Sequence, residues 1–116
     1  MTGRLSTHVL DTAAGKPAAG VRIDIFRVTG DAALIGTIET NADGRTDSPV
    51  LEGDALTAGV YQLVFYVGDY FRKEMNPDAG KFLEQVPIVF VVADPAAKYH
   101  VPLLVSPWSY STYRGS

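Results

Sequence analysis

Two histidines, one arginine at a turn and a crowded C-terminal segment are the residues of this chain whose types could do chemistry. His8 lies in "RLSTHVLD" and His100 in "KYHVPLLV", and the chain has no other His. An imidazole can accept or deliver a proton near neutral pH, and a guanidinium such as Arg45 in "NADGR" keeps its charge and can hold a developing anion. The segment "SPWSYSTYRGS" adds a Trp, two Tyr, an Arg and four Ser. Terminal residues on which nothing depends are usually small, polar and frayed. This segment instead combines stacking surface, hydroxyls and a fixed charge.

Other chemistries fail on spacing. Two His without a neighbouring carboxylate at ligand spacing, and without any Cys, fall short of a three-ligand zinc site. "ETNADGRTD" resembles the middle of a calcium loop, but with Glu39 as its first position the twelfth is Val50, where a bidentate Glu is required. No nucleophile elbow and no Gly-rich phosphate loop is present.

The elements that must position these residues are strands. Apolar and polar residues alternate in short runs separated by "TAAGKPAAG", "NADGR", "EGD" and "VADPAAK", all rich in Gly, Pro, Asn or Asp. Leu5 and Val9 share one face of their strand, which turns His8 to the other. Tyr99, Val101, Leu103 and Val105 oppose Lys98, His100, Pro102 and Leu104 in the same way. Both His therefore project from an outer sheet face, where the plain alternative is an ordinary solvated imidazole. Val21, Ile23 and Ile25 oppose Arg22 and Asp24, and Tyr61, Leu63, Phe65 and Val67 share a face. "VPIVFVVA" is apolar on both faces and is expected to be covered on both sides. An Asp43-Gly44 tight turn joining two strands would put Arg45 at the start of the second. Only "GDYFRKEM" suits a short helix. The fold class expected is all-β, a two-sheet sandwich of about seven or eight strands with one short helix, as a single domain over residues 1–116.

Composition narrows the partners. With 47% apolar residues, 116 residues can enclose a core without disulfides. Ten Lys and Arg against 13 Asp and Glu give a net charge of −3 without a basic block, which argues against nucleic acid and membrane surfaces and favours a small molecule or a protein. The longest apolar run, from Val86 to Ala93, is far below the roughly 20 residues of a membrane helix. "MTGRLSTHVLD" has no apolar signal core, so a cytoplasmic location is expected.

"LSTHVLDTAAGKPAAGV", "NADGRTD" and "YHVPLLVSPWSYSTYRGS", in this order over nearly the whole chain, resemble the transthyretin-like 5-hydroxyisourate hydrolases. The resemblance is carried most specifically by Tyr113-Arg114-Gly115-Ser116, with His8, Arg45 and His100 at the family's other motif positions. Trp108 stands where many members have Tyr. The resemblance implies a transthyretin-like sandwich assembled as a homotetramer, with active sites in grooves between subunits. The substrate implied is 5-hydroxyisourate, whose cyclic amide is opened without a metal or other cofactor.

On that reading His8 and His100 share acid–base work, with His100 favoured as the base. Arg45 clamps the substrate and stabilises the oxyanion. Tyr113 offers a ring and a hydroxyl to the flat substrate, and Ser116 a hydroxyl and a carboxylate. Arg114 either anchors the terminal carboxylate or meets the substrate. Trp108 and Tyr110 are expected at an interface. A transthyretin-like carrier using the same groove is the alternative; an apolar carrier channel, however, has no use for charges that are costly to desolvate. A structural module of a larger assembly is the third reading.

Overall fold

The computed structural model describes residues 3–115. Nine strands form two sheets: β1 (Arg4–Asp11), β2 (Lys16–Pro17), β3 (Arg22–Thr29), β4 (Asp31–Glu39), β5 (Leu51–Glu52), β6 (Gly59–Phe65), β7 (Val86–Val92), β8 (Lys98–Val105) and β9 (Tyr110–Thr112). One sheet has the order β2-β1-β8-β9 with β5 also on β1, and the other has the order β4-β3-β6-β7. One short α-helix among the described residues, α1 (Val67–Lys73), follows β6, and a 3-10 turn spans Gly53–Ala55. The count exceeds the expected seven or eight because β2, β5 and β9 are only two or three residues long, too short to show alternation.

Alternation decides which way each strand faces. In β1, Leu5, Thr7, Val9 and Asp11 are buried between the sheets while Ser6, His8 and Leu10 turn outward. β8 buries Tyr99, Val101, Leu103 and Val105. The opposite sheet contributes Ile23, Ile25, Tyr61, Leu63, Phe65, Val86 and Val92 to the same core. Each such apolar side chain contributes about 1.5–3 kcal/mol on burial. Inward polar groups are paired: Thr7 Oγ1 donates to the Val101 carbonyl at 2.7 Å, tying β1 to β8. Among the described residues no buried side-chain polar atom lacks a hydrogen-bond partner, and no helix is long and apolar enough to cross a membrane.

Three expectations need correction. No third layer packs on the outer side of the β4-β3-β6-β7 sheet, so the second apolar face of β7 is uncovered, with Val89 60% and Val91 62% exposed. Asp24, on the outer side of β3, is only 4% exposed because Arg22, Thr37 and Tyr66 all donate to its carboxylate. Arg45 does not begin a strand. Residues 40–50 form an irregular crossover from β4 to β5 in the other sheet, running along the edge of β1 between β2 and β5.

Helix α1 docks through Val67, Tyr70 and Phe71, one face at helical spacing. Tyr70 donates its hydroxyl to Asp11 Oδ2 at 2.8 Å, and Ala14 N donates to Asp11 Oδ1 at 2.9 Å, so the end of β1 is held from the helix and from its own turn. Burial and this bond to Asp11 push the Tyr70 phenol well above its usual range. Tyr70→Phe keeps the ring but leaves a 2%-exposed carboxyl short of one donor. The expected loss is about 1.5–3 kcal/mol, seen as a lower denaturant midpoint at an unchanged slope.

Candidate active site on the outer face of one sheet

β1 and β8 run parallel and in register from Arg4 opposite Lys98 to Asp11 opposite Val105. Ser6 is paired with His100 and His8 with Pro102, so the two imidazoles occupy the same outer face two residues apart along the ladder. Both are half-buried. Ser6 Oγ lies 2.8 Å from His100 Nδ1.

Arg45 reaches this face through the crossover. Asn41 Oδ1 accepts from Asp43 N at 2.9 Å and Arg45 N at 3.2 Å, an Asx-type turn that "NADG" favours. Gly44 closes the turn with φ +74° and gives its carbonyl to Val9 N at 2.8 Å. A Cβ at Gly44 would lie 2.4 Å from the Val9 carbonyl oxygen, so the loop meets β1 only because residue 44 is glycine. Arg45 is thereby set beside the His pair. It lines a cleft of about 540 Å³ together with Arg4, Ser6, Asp47, Lys98 and His100. His8 stands outside this lining and is reached by Arg45 through its charge.

That charge shapes the site. Partial burial, followed by the Arg45 guanidinium, holds the His8 imidazole below its ordinary range, while a backbone hydrogen bond with Asp43 pulls the other way. Partial burial, Arg45 and then His8 lower His100. Both rings are therefore neutral at neutral pH, with lone pairs available for proton transfer. Among the described residues no group of three His, Asp or Glu is arranged to hold a metal ion.

The C-terminal segment divides. Past β9 the chain keeps step with β8, from Thr112 opposite Leu103 to a bridge between Gly115 and His100. Gly115 N donates to the His100 carbonyl at 2.7 Å, and a Cβ on Gly115 would lie 2.9 Å from His100 Cδ2. Arg114 is turned back on its own chain, donating to the Lys98 carbonyl at 3.1 Å with its guanidinium 4.5 Å from the centre of the Tyr99 ring. Tyr113 and Arg114 line a second groove of about 300 Å³ with β7, separate from the His cleft. Ser116 lies outside the described residues. Trp108 is 52% exposed, stacks on Phe82 and donates to Asp78. The structure thus joins His8, Arg45 and His100, leaves Tyr113 and Arg114 apart from them within one protomer, and adds Ser6 and Gly115. The parallel pairing of β1 with β8 brings Ser6 to His100, and the antiparallel run past β9 brings Gly115, known from the sequence only as part of the terminal motif.

An all-β sandwich bearing an imidazole pair and a guanidinium on one outer sheet face is the class that fold and site define. The chain belongs to the HIUase/Transthyretin family, whose family model matches residues 5–115. It is 57% identical over 118 residues to "5-hydroxyisourate hydrolase 2" of Rhizobium meliloti (strain 1021), covering 99% of this chain and 98% of that protein. The crystal structure of an (S)-allantoin synthase superposes with a TM-score of 0.93 at 45% identity, over 99% of this chain and 44% of the synthase chain. Sea bream transthyretin in complex with thyroxine gives 0.85 at 29% identity, covering 97% and 94%.

If Arg45 lowers both imidazoles, Arg45→Met should raise the pKa of both. Titrating the two His by NMR in the wild type and the variant checks this, and an unchanged His100 would place the guanidinium elsewhere.

Proposed function

We propose that this protein hydrolyses 5-hydroxyisourate, opening its cyclic amide in the breakdown of urate. The observation that carries the reading is the convergence of His8, His100 and Arg45 on one sheet face, each imidazole held neutral by partial burial and the same cation. The similarity to a protein named 5-hydroxyisourate hydrolase over almost its full length supports it.

His100 accepts a proton from water as the oxygen attacks the amide carbonyl. Arg45 stabilises the negative charge that grows on the carbonyl oxygen. The C–N bond then breaks, and the proton taken up by His100 passes to the departing nitrogen, directly or relayed through His8. No residue forms a covalent bond to substrate. Arg114 is assigned as an anchor, on the ground of its bond to the Lys98 carbonyl and its stacking over the Tyr99 ring. Tyr113 and Ser116 contribute to a substrate pocket completed by assembly.

The assembly proposed is a homotetramer with sites between subunits. The cleft is open in the protomer, while Val89, Val91, Tyr110 and Tyr113 present apolar and aromatic surface to solvent. The carrier alternative uses the same groove without turnover, and an activity measurement separates the two.

The deciding experiment generates 5-hydroxyisourate in situ with urate oxidase and follows its ultraviolet decay with and without this protein. Acceleration is expected; decay at the spontaneous rate, with retention of the ligand, would favour the carrier. His8→Ala, His100→Ala and Arg45→Ala should each reduce kcat/KM by ~10²–10⁴-fold with the fold intact, as all three lie outside the core.

The pH profile follows from the sign of the shifts. Both imidazoles titrate below the ordinary value of about 6.5, so activity should stay level from pH 8 to about 6.5 and fall only at lower pH, as the base gains a proton. A fall beginning well above 6.5, corrected for spontaneous decay, would point to a base other than these His.

Gly115→Ala forces a methyl against the His100 ring, and a displacement of about 1 Å can cost ~10²-fold. Its kcat/KM should drop while melting and sizing remain those of the wild type.

A further inference from the structure

Ser6 and His100 are 94 residues apart in the chain and directly opposite in the β1–β8 ladder, with the hydroxyl 2.8 Å from the ring nitrogen Nδ1. We propose that Ser6 is a positioning residue for His100, its oxygen accepting the Nδ1–H hydrogen bond so that the imidazole is locked in the tautomer with a bare Nε2.

The direction of that bond follows from the surroundings. Nδ1 is occupied by Ser6, which leaves Nε2 as the ring nitrogen available to the cleft. The charged and titratable groups that act on the ring are Arg45 from the crossover and His8 from β1. A guanidinium is a donor only. Its field favours a lone pair on Nε2 and disfavours a second N–H there. The reverse arrangement, with the Ser6 hydroxyl donating to Nδ1, would put the proton on Nε2 and leave no lone pair to receive one from water. With Ser6 as acceptor, the Nδ1–H bond survives unchanged when Nε2 takes up a proton, so the ring needs no reorientation during a catalytic cycle.

A hydroxyl also suits the task better than a carboxylate. It orients the ring without adding the negative charge that would favour the imidazolium. On the other side of the ring, the bare Cα of Gly115 approaches so closely that a methyl would collide with Cδ2. The imidazole is held between an oxygen and a glycine.

The catalytic consequence rests on the hydrolase reading; the tautomer does not. Nitrogen-15 NMR of the full-length protein at about pH 8 should show His100 with a pyrrole-type Nδ1 and a pyridine-type Nε2, assigned with a His8→Gln variant. Ser6→Ala should give a mixture of tautomers and Ser6→Thr should restore the single one, since Thr keeps the oxygen and suits a strand. In the urate oxidase-coupled assay Ser6→Ala should lower kcat about 10–100-fold with KM within about twofold, and Ser6→Thr should recover most of it. A wild-type His100 protonated at Nε2, or a Ser6→Ala protein with unaltered tautomer or unaltered kcat, would overturn the proposal. Should the wild type leave 5-hydroxyisourate untouched, the hydrolase reading falls, and the NMR comparison alone decides whether Ser6 sets the tautomer.

Discussion

The parallel pairing of β1 with β8 is the constraint on which the rest of the structure depends. It runs unbroken over eight residue pairs and fixes both faces of the sheet at once. A slip of β1 by one residue would turn Leu5 and Val9 to solvent, and a slip of β8 would do the same to Val101 and Leu103, so the core holds the register far more firmly than the site could. Thr7 reinforces it from within through its bond to the Val101 carbonyl. The outward face inherits this precision. His8, Ser6 and His100 are placed to within hydrogen-bonding tolerance by apolar residues that never meet the cleft.

The electrostatics follow a division of labour between the two faces. Carboxylates held away from solvent, Asp11 and Asp24, are surrounded by donors and serve as anchors for α1, β4 and the chain after β6. Around the His pair the balance is reversed, with Arg4, Arg45 and Lys98 on the cleft wall and Asp47 already engaged by the Asn41 amide. Of these cations it is Arg45 that, after partial burial, holds both imidazoles below their ordinary range. The loop that delivers Arg45 has no regular structure, so its position depends on the Asn41 side chain and on the close approach of Gly44 to β1.

Much of this was legible in the amino-acid sequence because strand parity is a local property. Alternation in "RLSTHVLD" and "KYHVPLLV" is enough to send His8 and His100 outward, and apolar spacing in "GDYFRKEM" is enough for the helix. Partnership is not local. That Ser6 would face His100, or that Gly115 would touch its ring, depends on which strands become neighbours, and no spacing within either segment encodes that. The misreading of Arg45 has the same origin: Asp43-Gly44 makes the expected turn, but the chain leaves it for the other sheet. β7 reads as doubly covered because its residues are apolar on both faces, whereas only its inner face has a sheet packed against it.

The separation of β1 from β8 has a further consequence, for the order in which the molecule is built. β3, β4, β6 and β7 are joined by antiparallel pairings of modest sequence separation, whereas the ladder beneath the His pair must close a loop of more than 90 residues. Closure entropy rises with loop length, and folding slows as contact order grows. Closing the β1–β8 ladder is therefore the costlier step in chain entropy, and the β3, β4, β6 and β7 sheet does not depend on it. The two imidazoles come onto one face only once the most distant strands have met.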